Sequence, residues 1–128
     1  MEYNTATLSN GLRIIHLPSS SPVVYCGFGI NAGTRNELDG EEGVAHFCEH
    51  TTFKGTERRR AWHIINGLET FGGDINAFTN KEDTVYYSAI LKDHTAKAVD
   101  LLSDIVFHSL YPQAEIDKEI EVICDEIE

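Results

Sequence analysis

The sequence lacks the features that mark several large classes of protein. It has only 10 basic residues against 21 acidic ones, a net charge of −11, so a nucleic-acid backbone or an anionic lipid surface is not an expected partner. No apolar run approaches the roughly 20 residues of a membrane span, and the opening residues have neither the basic nor the apolar part of a signal peptide. Three cysteines, an odd number without a CxxC pair, favour reduced thiols and a cytoplasmic location.

What is present is the composition of one globular domain with one core. Apolar residues make up 41% and charged residues 24% of 128 residues. The acidic excess would attract cationic ligands, metal ions included. The one basic run, Arg58 to Arg60, is interpreted as a solvated helix start. The chain stops inside a helical pattern, which predicts that residues 1–128 are part of a longer polypeptide.

Turn signals and apolar periodicity predict an α+β fold, in which an antiparallel sheet carries helices on one face. The pair Asn10-Gly11 indicates a hairpin near the start. The predicted strands cover residues 4–8, 12–17, 23–33, 74–79 and 84–91, and the predicted helices cover residues 43–53, 61–71, 92–109 and 114–128. The buried faces predicted for the second and third helices are Trp62, Ile65 and Leu68, and Ala98, Leu101, Leu102, Ile105 and Val106.

The segment HFCEH, residues 46–50, places candidate chemistry on the first predicted helix. Each helical residue turns by about 100°, so His46, Glu49 and His50 fall within an arc of about 100° while Cys48 points away. Two imidazoles one turn apart can bind one zinc ion, and a glutamate beside them can take the proton of an attacking water. The pattern HxxEH is that of the inverzincins. The ordinary alternative is two histidines at the rim of a helix.

A catalytic zinc needs a third protein ligand, and the last predicted helix offers acidic candidates. Its apolar stripe must face the core, which leaves Glu119, Glu126 and, less centrally, Glu115 able to turn inward. A carboxylate at a core edge is costly unless it is paired or binds a metal. Glu126 as ligand with Glu119 in support would satisfy both carboxylates, whereas the alternative is a solvated acidic face. The stripe consists of Ile116, Ile120, Ile123 and Ile127.

Several segments together resemble the M16 metallopeptidase family, which includes pitrilysin, insulin-degrading enzyme and the mitochondrial processing peptidase. They are NGLRIIHLP, GTRNE followed by GVAHFCEHTTFKGT, LETFGGDINAFTNKEDTVYY and EIDKEIEVICDEI. The resemblance covers nearly the whole chain and implies that residues 1–128 are the N-terminal portion of an M16-type peptidase domain, an α/β roll. It implies zinc bound by His46, His50 and Glu126, with Glu49 as general base and Glu119 as a supporting acidic residue.

The resemblance also implies a role for the segment DINAFTN. In the family this strand is an exposed sheet edge beside the zinc, and an extended peptide adds to it through main-chain hydrogen bonds. Asn76, Ala77 and Phe78 are therefore the predicted substrate contacts. Thr51 stands where the family usually has a bulky apolar residue, and Cys48 stands where leucine is common. Both departures concern the packing of the helix rather than the ligands.

The predicted function is a zinc-dependent endopeptidase that hydrolyses extended peptides together with a second homologous half, from the same chain or from a partner subunit. Two rival functions remain open. A non-catalytic M16 partner subunit typically loses part of HxxEH, whereas every element is present here. A structural zinc protein is expected to have four protein ligands, and only three candidates are found.

Because the second half closes the chamber in family enzymes, we expect the 128-residue chain alone to bind zinc incompletely and to cleave peptides poorly. The measurement is the peptidase rate of this chain against that of the full-length polypeptide. Equal rates would contradict the prediction.

Overall fold

The computed structural model describes the backbone of residues 2–127 and the side chains of residues 2–121. Within these limits the fold is α+β, as predicted, and short 3-10 turns at Thr34–Asn36, Glu69–Phe71 and Lys92–His94 join its elements. None of the described helices has the length and apolar character needed to cross a membrane. The strands are β1 (Asn4–Thr7), β2 (Arg13–His16), β3 (Val23–Ile30), β4 (Asn76–Thr79) and β5 (Thr84–Leu91), and the helices are α1 (Val44–Thr52), α2 (Ala61–Asn66), α3 (Thr95–His108) and α4 (Gln113–Ile127).

The first two strands form a hairpin with a two-stranded sheet of its own. β1 and β2 pair antiparallel, with Asn4 opposite His16. The Gly11 amide closes the turn by donating to the Leu8 carbonyl at 2.9 Å, and Gly11 has a φ of 93°, which glycine adopts without strain. The hairpin is therefore confirmed, but the strands of the chain divide into two sheets rather than one.

The second sheet is antiparallel, with β5 in the centre and β3 and β4 on either side. β3 ends at Ile30 rather than at residue 33, because the Ala32 amide turns back to the Ile30 carbonyl at 2.8 Å and the pairing stops there. Side chains at alternate positions of the central strand β5 are buried, as the two-residue period of a strand requires. They are Thr84, Tyr86, Ser88 and Ile90.

Helix α3 supplies most of the apolar layer that covers this sheet. Its predicted inward face is confirmed, with Val106 partly buried against the others. This layer meets Tyr86 and Ile90 of β5 and Ile64 of α2 in one continuous core, and burial of that apolar area drives the packing. The buried α3 residues of the core are Ala98, Leu101, Leu102 and Ile105.

Helix α2 is shorter than predicted and buries a different face. It ends at Asn66, and a separate 3-10 turn follows at Glu69–Phe71, so one helical period does not continue to residue 71. Trp62 and Ile65 are 68% and 50% exposed, and only Leu68 of the three predicted residues is buried. Ile64 takes the inward position because it packs in the core with α3. The prediction of a buried Trp62 and Ile65 is therefore wrong.

The arginine run before α2 lies against α3. Arg58 donates to both oxygens of Asp100, at 3.3 and 3.0 Å. Arg59 donates to the buried Asp104 at 2.7 Å, and the Thr56 hydroxyl donates to the same carboxylate oxygen at 2.7 Å. The description of this run as solvated therefore fails for Arg59, since its guanidinium holds a buried carboxylate that would otherwise be costly.

A loop after β3 docks on the turn between β4 and β5 and so reaches the region of HFCEH. The amides of Thr34 and Arg35 donate to the carbonyls of Asn80 and Lys81, at 3.0 and 2.8 Å. A Cβ atom added to Gly33 would lie 2.2 Å from the Asn80 carbonyl oxygen, far inside van der Waals contact. Glycine at this position therefore allows the close approach of loop and turn.

We predict that Gly33→Ala lowers the free energy of unfolding by about 1–3 kcal/mol, because the backbone has to move to admit the methyl group. Urea denaturation of the metal-free chain measures the change. Gly29→Ala is the matched control, since nothing lies within 4 Å of a Cβ at Gly29. Equal effects of the two substitutions would contradict this account of the docked loop.

Candidate active site

The helix that carries HFCEH is held at its start by an acidic residue from the docked loop. α1 begins at Val44, after Gly43 with a φ of 91°. The Ala45 amide, in the first turn, donates to the Glu37 carboxylate at 3.1 Å. A negative charge is favourable there because the first amides of a helix point outward unpaired. The helix matches its predicted limits to within one residue at either end.

His46 and His50 lie side by side on this helix, both half-buried. Their ring centroids are 4.5 Å apart and their planes are inclined by 59°. This is the pairing expected of histidines one turn apart. The arrangement suits the nitrogen ligands of a zinc ion, which binds imidazole at about 2.0–2.1 Å.

Glu119 of α4 contacts the second histidine and a lysine beyond it. Its Oε2 lies 3.1 Å from His50 Nδ1, and its Oε1 lies 3.0 Å from Lys54 Nζ. Burial works to raise the pKa of the Glu119 carboxyl, but hydrogen bonds from Lys54 and His50 hold that pKa below its ordinary value. A proton on Nδ1, donated to this carboxylate, would leave Nε2 of His50 as the nitrogen suited to a metal.

The orientation of α4 differs from the predicted apolar stripe. Ile120 is 49% exposed, whereas Glu119 beside it is 7% exposed. The helix turns Glu119 toward α1 because the carboxylate is paired there with His50 and Lys54. The expectation that Ile120 faces the core is therefore wrong. The side chains of Ile123 and Ile127 lie outside the described residues.

The side chain of Glu126, the predicted third ligand, also lies outside the described residues, so its role as a zinc ligand stays a prediction. Among the side chains of residues 2–121, no group of three His, Cys, Asp or Glu is arranged to hold a metal ion. Of the residues predicted to bind or support zinc, the described part of the chain contains the two imidazoles and the Glu119 carboxylate at the Nδ1 of His50.

Glu49, the predicted general base, is half-buried on the side of α1 that faces the strand β4. Its Oε2 accepts a hydrogen bond from the Thr79 hydroxyl. Sequence reasoning missed Thr79, although one signal was present. Thr79 lies two residues after Ala77, and a two-residue step keeps both side chains on one face of a strand.

The strand β4 is an edge strand, paired on one side with β5. Ala77 and Thr79 are half-buried, while Asn76 and Phe78 are exposed on the other face. A cavity of about 300 Å³ lies between α1 and this strand, lined by Glu49 and Ala77 among others. The segment predicted to contact substrate therefore lies beside the predicted general base, with Ala77 turned toward it.

The last two residues of α1 are threonines whose hydroxyls donate to carbonyls of the helix itself. The Thr51 hydroxyl, fully buried, donates to the Phe47 carbonyl at 3.0 Å. Thr52 donates to the Cys48 carbonyl at 2.6 Å and lies 3.1 Å from the Tyr86 hydroxyl. Burial raises the pKa of Tyr86 to about 12. The polar residue at position 51 is therefore accommodated within the helix itself.

Comparison with known proteins identifies the family. Residues 14–128 match Insulinase (Peptidase family M16). The chain is 42% identical over 127 residues to an "uncharacterized zinc protease" of Rickettsia bellii and 40% identical over 126 residues to the mitochondrial-processing peptidase subunit beta of Dictyostelium discoideum. A crystal structure of a protease from Helicobacter pylori matches with a TM-score of 0.93 and 28% identity, over 98% of this chain and 30% of that chain.

A fold of this kind, with paired histidines and a glutamate on one helix, defines a class of metallopeptidase. The chain belongs to peptidase family M16, as its sequence predicted. It covers 31% of the Rickettsia relative and 27% of the Dictyostelium relative, so it spans less than a third of their length. The Rickettsia relative is named as a zinc protease, and the Dictyostelium relative is named as a subunit of a processing peptidase.

We predict that Glu119 makes the stability of the metal-free chain depend on acid pH. Its carboxyl has a lowered pKa in the folded state, so its contribution is present above the ordinary value of 4.5 and is lost as pH falls through the lower folded value. Denaturation midpoints across the acid range should fall less steeply in Glu119→Gln than in the wild type. The same change at the exposed Glu121, on the same helix, is the control. A curve of unchanged steepness in Glu119→Gln would refute the prediction.

Proposed function

We propose that this chain carries the catalytic centre of a zinc-dependent endopeptidase that acts on extended peptides. The observation that carries the proposal is the position of Glu49. It lies on the same helix as the paired imidazoles and faces a cavity whose other side is an edge strand. A hydrolase needs these three parts close together: a metal site, a proton acceptor and a surface that orients the substrate.

His46 and His50 would hold the zinc ion, with Glu126 as the proposed third ligand. A bound zinc lowers the pKa of water to roughly 7 and polarises a carbonyl. The contact of His50 with Glu119 supports this assignment, because ligating histidines commonly donate their second ring nitrogen to a carboxylate. The pairing of Glu119 with Lys54 keeps that carboxylate ionised and therefore able to accept the bond.

Glu49 is the proposed general base. It would accept the proton of the attacking water and later deliver it to the leaving amine of the cleaved peptide. Its half-buried position supports this role, since a carboxylate shielded from bulk water transfers protons to the substrate rather than to solvent. A non-catalytic subunit would have no need of this carboxylate, so its presence favours the enzyme over that alternative.

The proposed substrate surface is the strand β4. An extended peptide would add to its outer edge and form main-chain hydrogen bonds, a mode that selects for extended shape rather than for sequence. Asn76, Ala77 and Phe78 are the proposed contacts, and the small side chain of Ala77 leaves room beside Glu49. The free amides and carbonyls of an edge strand are the chemical basis of this binding.

The proposed partner is a second homologous half, from the same polypeptide or another subunit. The relative from Dictyostelium discoideum is named as the beta subunit of a peptidase, which supports an assembly with a partner subunit. The proposed location is the cytoplasm, where the three cysteines, an odd number without a CxxC pair, would stay reduced.

We predict that Glu49→Gln retains zinc and lowers kcat at least about 100-fold, because the isosteric amide cannot accept the proton. Zinc is measured by elemental analysis after dialysis, and hydrolysis is measured with an internally quenched peptide in the longest available form of the polypeptide. Glu121→Gln, exposed and on another helix, is the matched control and should leave both quantities unchanged. Activity close to wild type in Glu49→Gln, with zinc bound, would contradict the assigned role.

A further inference from the structure

We propose that Thr79 is a positioning residue for the general base, and that it ties the orientation of Glu49 to the strand that receives the peptide. The inference deepens the proposed function and rests on it. Neither the paired histidines nor the predicted substrate contacts include this residue. Its role would be to hold one oxygen of the Glu49 carboxylate in a fixed direction during proton transfer.

The contact that carries the inference is the hydrogen bond from Thr79 Oγ1 to Glu49 Oε2. Both side chains are half-buried, so water competes less for the carboxylate than it would at an exposed site. A glutamate has three side-chain torsions, and a base is effective only when it lies within hydrogen-bond reach of the proton that it takes. A hydroxyl that occupies one oxygen reduces this freedom and directs the other oxygen.

The donor is itself held rigidly. Thr79 is the last residue of β4, and the next residue opens the turn to β5. The Asn80 amide donates to the Asp83 carbonyl at 2.7 Å, and the Asn80 side chain donates to the Asp83 carboxylate at 2.8 Å. The docked loop adds its own bonds to Asn80 and Lys81. A positioning residue needs such support, because any movement of the Thr79 hydroxyl would also move the Glu49 carboxylate that is bonded to it.

The same strand also connects the base to the proposed peptide surface. Ala77 and Thr79 lie on the face of β4 that is turned toward α1, and Ala77 lines the cavity with Glu49. A peptide that pairs with the outer edge of β4 would fix this strand further. Peptide binding would then affect the orientation of the Glu49 carboxylate through Thr79, without any contact between Glu49 and the peptide side chains.

The test compares Thr79→Val, which removes the hydroxyl at nearly constant shape, with Thr79→Ser, which keeps it. In the metal-free 128-residue chain, the side-chain carboxyl ¹³C resonance of Glu49 is assigned by its loss in Glu49→Gln. This resonance should shift in Thr79→Val and return toward its wild-type position in Thr79→Ser. Thr7→Val, the same change on an exposed strand of the separate hairpin, is the matched control.

In the active form of the polypeptide, Thr79→Val should lower kcat about 10-fold, while KM and zinc affinity stay within about two-fold of the wild type. Thr79→Ser should recover most of the rate. An unshifted Glu49 resonance, or a normal kcat in Thr79→Val, would overturn the role of Thr79. Absence of hydrolysis by the wild-type polypeptide would instead overturn the proposed function.

Discussion

The contact between His50 and Glu119 is the interaction on which the candidate site depends. It joins α1 to α4 across 69 residues of sequence, through an imidazole nitrogen and a carboxylate at 3.1 Å. A buried carboxylate is costly by itself, and Lys54 offsets this cost from the other side at 3.0 Å. The same three groups therefore stabilise the helix packing and set the direction of a proposed zinc ligand. A change that removes one of them affects both the fold and the site, and the two effects have to be separated by measurement.

The sequence predicted the placement of the HFCEH side chains on one helix better than it predicted the packing around that helix. His46, Glu49 and His50 lie within one turn of one helix, so their relation depends only on helical geometry. The burial of Ile64 instead of Trp62 and Ile65 depends on where α3 lies, and this information is not local. Short helices make the problem worse, because a helix of six residues contains too few turns to define one apolar stripe.

The error at Ile120 has a different cause. Periodicity ranks residues by apolar character, so it turned the isoleucines of α4 inward and left Glu119 on the shoulder. The structure buries Glu119 and leaves Ile120 exposed, because the partners of the carboxylate, His50 and Lys54, come from α1 and the segment directly after it. Thr79 was missed for a related reason. Threonine is common in strands, and only the contact with Glu49 in the folded chain indicates a role for its hydroxyl. The partners of these two polar residues lie far away in the sequence, so a sequence pattern alone does not identify the contacts.

Two side-chain hydrogen bonds connect helix α1 to the paired strands β4 and β5. They restrain the helix that carries the HFCEH segment. Glu49 accepts a hydrogen bond from Thr79 of β4, and Thr52, three residues further along the same face of the helix, lies 3.1 Å from the Tyr86 hydroxyl of β5. β4 and β5 are paired to each other, so both hydrogen bonds hold one face of the helix against the same pair of strands. Apolar contacts alone would allow a helix to slide or rotate slightly, since they are not directional. Two directional hydrogen bonds at neighbouring positions on one face of the helix resist both motions. The positions of the general base and of the edge strand are therefore set by the same hairpin.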